Sequence, residues 1–175
     1  NNTEVYYNLD ESLPKDLPSI VANNKLQSEY NMMSTNIILV RDDLEGYKIN
    51  QMIEELKNID GVTSVVGLED ILGARIPESF IPKELLKKIK NGGYEEIMLN
   101  SEYKSASDEV AVQLKEINKV VKKYDKEGLV GGEAPLTEDL ITIADNDFKK
   151  VNTASILAIF IIILFVFKSI SVPIL

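Results

Sequence analysis

Five carboxylates crowd fifteen residues of this sequence: Glu133, Glu138, Asp139, Asp145 and Asp147. Carboxylate oxygens are what hard divalent cations prefer, so a Ca2+ or Mg2+ site is the chemistry such a cluster could support. Acids at a helix start and along a solvated helical face give the same pattern, because they favour the positive end of the helix dipole, and that plainer reading is preferred. Asp42, Asp43 and Glu45 lack the alternating spacing of a calcium loop and read as a solvated turn. Gly131 and Gly132 could cradle a phosphate between a strand and a helix. The acids that follow them would repel an anion, so a tight joint is the expected role.

Other chemistries are excluded by residue type. The 175 residues contain no cysteine and no histidine. This removes disulfides, thiolate and imidazole metal ligands, and Ser/His or Cys/His nucleophiles. A carboxylate pair is the remaining enzymatic option, and none stands at a defensible spacing. No catalysis, cofactor or metal is therefore expected. All 28 acidic residues and 18 of the 19 basic ones precede residue 151, which leaves that region at −10. Nucleic acid needs a basic face and is a poor partner. A chain without cysteine also suits an extracytoplasmic setting.

The elements around these residues follow from periodicity. LPKDLPS leads into a helix over residues 19–30, with Ser19 as N-cap. NIILV at 36–40 is a strand expected to be buried on both faces. Ile49, Met52, Ile53 and Leu56 share one helical face, and Gly61 is expected to end that helix. VTSVVGL at 62–68 makes a second strand. An insertion at 69–93 contains a helix opened by Pro82 and closed by Gly92. A strand at 94–100 follows, then a helix over 105–124 capped by Ser105 or Ser107, with Val110, Leu114, Ile117, Val121 and Tyr124 on one stripe. LVGG at 129–132 is the fourth strand. The order is that of a split βαβ, ferredoxin-like α+β fold: four strands with two helices on one face.

Beyond Pro135 the pattern is helical without interruption. Leu140, Ile143, Ala144, Phe148 and Val151 lie on one side, and from Ala154 the residues are apolar all round. Residues 151–167 are uncharged, which gives seventeen positions at about 1.5 Å each. That is the lower edge of a membrane span, and Lys168 can snorkel to the interface. Basic loops stay cytoplasmic, so Lys168 is expected inside and residues 1–150 outside. Both termini read as cuts in a longer protein.

Taken in order, LPKDLPS, IILV, GARIPESFIP, EYKSAS, GGEAPLTED, the apolar span and KSISVPIL resemble the porter region of the RND superfamily, in particular its MMPL-type exporters of lipids and other hydrophobic molecules. Gly132, Ala134 and Asp139 match the family's signature entering the second transmembrane helix, and Ser169 and Pro173 resemble the turn at its cytoplasmic end.

The resemblance implies a linking arm and helix at 1–35, a porter subdomain at 36–135 with its insertion at 69–93, a continuous helix at 136–168 and a truncated turn at 169–175. It also implies a proton-driven parent protein whose relay residues lie elsewhere. The partners would be the lipid bilayer, the second half of the same transporter and a hydrophobic or lipid-like substrate, with room for an oligomer. Phe80, Ile81, Leu85, Leu86 and Ile89 exceed what a minimal ferredoxin-like core needs. They are candidates for packing on the sheet, for contact with the second half or for contact with substrate. The rival reading is a membrane-anchored extracytoplasmic sensor or ligand-binding module with one span.

Overall fold

Strand alternation decides how this chain layers itself. The computed structural model describes residues 13–68, 82, 84 and 89–168. In β1 (Ser34–Arg41) the buried and less buried positions strictly alternate, with Ser34, Asn36, Ile38 and Val40 turned inward. The run 36–40 is therefore buried on one face and not on both. Ile37, on the other face, keeps 37% of its surface exposed.

The second central strand is β4 (Tyr94–Ser101), antiparallel to β1 with Ile38 opposite Ile97 and Asn36 opposite Leu99. On its far side β4 pairs with β2 (Val62–Val66), and with β3 (Lys90–Asn91) near its start. The other edge is β5 (Leu129–Gly132), which pairs with β1. The order β2-β4-β1-β5 interleaves the two strand-helix-strand units and is that of the split βαβ plan. The short β3 makes the sheet five-stranded.

One face of this sheet is covered by α2 (Gly46–Lys57) and α3 (Asp108–Tyr124). Ile49, Met52, Ile53 and Leu56 from α2, and Val110, Leu114, Ile117 and Val121 from α3, close over Ile38, Val40, Ile97 and Leu99 in one cluster. A single apolar stripe per helix is what a one-sided cover requires. Asp125 ends α3 and is itself buried. Its carboxylate accepts from the Arg41 and Glu127 backbone amides at 2.8 and 2.9 Å, so the charge is satisfied where the chain turns into β5. On the opposite face, which no helix covers among the described residues, Thr35 donates to Asn100 and Asn100 to Ser64, both at 2.8 Å, a polar row across three strands.

Several expected boundaries shift. The first helix, α1, is Pro18–Tyr30: Pro18 takes its first position, and Leu17 precedes it without a side-chain cap, so Ser19 is not the N-cap. Helix α2 ends at Lys57 with Asn58 as C-cap, and Gly61 instead sits at φ +74° in the turn into β2, with the Tyr103 ring filling the space a Cβ would need. Of the two serines before α3, Ser107 is the cap, accepting from the Val110 amide at 3.2 Å. Gly92 closes no helix. With Gly93 it forms the two-residue turn between β3 and β4, both at positive φ, the conformation that tight hairpins demand. The helix opened by Pro82, with Leu85 and Leu86, lies outside the described residues.

Candidate functional site

The joint between β5 and the last helix is where the sequence signature falls. Helix α4 (Glu133–Phe167) begins at the residue after β5 ends, so Pro135 lies inside its first turn and does not open it. The chain's first compact unit runs to Glu138 and the second from Asp139, a division that falls inside α4.

This joint needs glycine. Gly132 has φ +132°, a region L side chains rarely adopt, and a Cβ there would meet the Thr35 carbonyl oxygen at 2.9 Å and the Asn36 Cα at 3.2 Å. Both neighbours are backbone of a central strand and cannot step aside. Gly131, by contrast, has only Ile37 oxygen at 3.9 Å. Two residues on, Ala134 is fully buried in the core cluster, where a larger side chain would overpack. The two small signature residues thus seat the first turn of α4 against the sheet. Beside Gly132, the Asn36 carboxamide is fully buried and makes no hydrogen bond among the described residues.

Asp139, the third signature residue, is exposed on α4, and Ser169 and Pro173 lie outside the described residues. So do Phe80, Ile81, Leu85 and Leu86; Ile89 is half-buried just before β3. Of the five carboxylates near the joint, Glu138 is half-buried and the other four are exposed, and Asp147 pairs with Lys150 at 3.5 Å within the helix. Among the described residues, no three acidic side chains are grouped to hold a metal ion. Asp43 and Glu45 are spent on neighbours, Arg41 at 3.6 Å and Lys48 at 2.8 Å.

The lower part of α4 is apolar and unburied. Its best 18-residue window has a mean hydropathy of 2.3 with no part buried, and the helix is long and apolar enough to cross a membrane. It stops at Lys168, whose φ of +48° breaks the helical repeat.

Charge on the body is arranged in local pairs. Lys123 donates to Glu55 at 2.6 Å and Tyr124 to the same oxygen at 2.6 Å, which holds the Glu55 carboxyl below its usual range and raises Lys123 and Tyr124. Lys48 lowers Glu45 in the same way. Tyr103 donates to Asp60 at 2.7 Å, and this bond, with burial and the Asp60 charge behind it, pushes the phenol up to about 12. These pairs bridge helices and turns and form no catalytic arrangement.

The joint leads into a helix long and apolar enough to cross a membrane. The family model described as MMPL family matches residues 12–175, and the chain belongs to that family of RND-type membrane transporters. No curated protein gives a significant match. Sequence reasoning found the joint from its two glycines. It missed the orphaned Asn36, because an asparagine in a strand carries no signal of what stands opposite it.

Proposed function

We propose that this chain is the extracytoplasmic porter subdomain of a proton-driven RND/MMPL-type exporter of lipids or other hydrophobic molecules, with its second transmembrane helix attached. Residues 36–135 are then the porter body and α4 enters the bilayer at about residue 151; the cytoplasmic turn expected at 169–175 lies outside the described residues. What carries the reading is α4: one helix, unbroken from the glycine joint of β5 to Phe167, amphipathic at first and apolar afterwards. The family match across 12–175 supports it and favours it over a single-span sensor. Phe80, Ile81, Leu85, Leu86 and Ile89 are then surfaces for the second half of the transporter or for its substrate.

Sidedness rests on the family and not on charge. Lys149 and Lys150 precede the span and Lys168 follows it, so the flanking lysines do not support the orientation expected from Lys168 alone, and the extracytoplasmic placement is carried over from the family resemblance. The absence of cysteine makes the test clean. Lys119 is exposed on α3, and Lys119→Cys in intact cells should react with a membrane-impermeant maleimide. Reaction only after permeabilisation would place the body in the cytoplasm and end the porter assignment.

A further inference from the structure

Helix α1 poses a problem of its own: thirteen residues with no buried side chain and no apolar stripe. It is held at its C-terminal end, where Asn31 in the left-handed conformation donates to Glu102 at 2.7 Å and the Met33 amide to the Ser101 carbonyl at 2.8 Å. Its apolar residues do not close onto the body: Leu17 and Val21 are exposed, and Leu26, which faces the groove beside the helix, keeps 41% of its surface. The side it presents carries Asn23, Asn24, Leu26 and Gln27, which line a groove of about 500 Å³. That volume lies in the range of small-molecule sites, about 300–1,000 Å³.

The lining has a definite chemistry. Asn23, Asn24 and Gln27 make no side-chain hydrogen bond among the described residues, so three carboxamides face the groove with donors and acceptors uncommitted. Ser105 and Thr137 add hydroxyls from the other walls, and Leu26, Met32 and Met33 supply an apolar surface. Among the described residues that line the groove, the charged groups are Lys104 and Glu133, one of each sign, with no arginine, so this lining has no net charge with which to hold an anion. Carboxamides and hydroxyls around methionine suit a neutral ring that is polar at its edge and apolar on its faces.

From this geometry we infer that the groove between α1 and the start of β1 binds a neutral, hydroxyl-rich group of the sugar type, either as a free saccharide or as the headgroup of an amphiphile. This goes beyond the proposed function and does not depend on which side of the membrane the body occupies.

The four methionines make the test internal. Met32 and Met33 line the groove, Met52 is fully buried in the core, and Met98 lies on the uncovered sheet face. The full chain, 13C-labelled at methionine methyls and held in a polyoxyethylene detergent without sugar, is titrated with maltose, with dodecyl maltoside and with dodecylphosphocholine. Saturable shifts of Met32 and Met33 with maltose, Met52 and Met98 still, establish a saccharide site. The same shifts with dodecyl maltoside alone assign it to an amphiphile headgroup. Removing two carboxamides together, in Asn24→Ala/Gln27→Ala, should weaken the response by about tenfold or more, since each bond contributes up to about tenfold. The inference is overturned by no saturable shift at Met32 and Met33, by equal response to dodecylphosphocholine, or by a double variant that binds as the parent does.

Discussion

The covered face of the sheet and the lower half of α4 are made of the same residues and reach opposite ends. Ile38, Ile97 and Leu99 are fully buried, whereas Ile159, Ile162 and Phe165 keep 57%, 60% and 73% of their surface. Burying an aliphatic or aromatic side chain is worth about 1.5–3 kcal/mol wherever the apolar surroundings come from. In the body, α2 and α3 supply those surroundings; in α4 no part of the chain among the described residues does, and a bilayer is an environment that would.

The largest effect that could break this contrast is a charge in the span. Ile159→Lys should cost about 2.5–3.5 kcal/mol of insertion in a helix that only just reaches across, and alkaline extraction should release the protein from membranes. Lysine at Val112, exposed on α3, should leave membrane retention and stability unchanged within about 0.5 kcal/mol. Next, Leu99→Ala should destabilise the body by about 2–5 kcal/mol in chemical denaturation of the full chain in detergent, while Leu157→Ala leaves that transition in place.

Two substitutions sharpen the picture at the joint. Gly132→Ala should cost about 1–3 kcal/mol, because both the backbone angle and the Thr35 carbonyl oppose a Cβ, whereas Gly131→Ala should be tolerated. Asn36→Val, which removes an unpaired buried amide from a strand, should raise stability by about 1 kcal/mol in the same denaturation experiment.

The smallest effect is alkaline. The phenol of Tyr103 is pushed up to about 12 in the fold, above its unfolded value near 10. Its contribution to stability is complete below about pH 10 and is lost as pH rises through about 12. Tyr103→Phe should flatten that limb of the stability profile: the variant loses the small contribution at neutral pH and converges on the parent as pH rises through about 12.

Much of the body was legible because its signals are periodic. A stripe such as Ile49, Met52, Ile53 and Leu56 states both that a helix forms and which side is covered. Errors came where one residue type serves two geometries. Gly92 suits a helix end and a hairpin turn equally, and only pairing of Asn91 with Tyr94 chooses between them. The run 36–40 is apolar at four consecutive positions, so its burial on one side followed from which face the helices took.

By itself the sequence determined the split βαβ element order, the exclusion of cysteine and histidine chemistry, and a helix too apolar to remain in water. Those are properties of composition and spacing, and they persist however the chain is arranged. Tertiary structure alone decided that Gly132 lies under the Thr35 carbonyl, that Asn36 is buried without a hydrogen-bond partner among the described residues, and that α1 turns Asn23, Asn24 and Gln27 toward its groove. Each depends on atoms that are distant along the chain and become neighbours only once β1, β4 and β5 are in register.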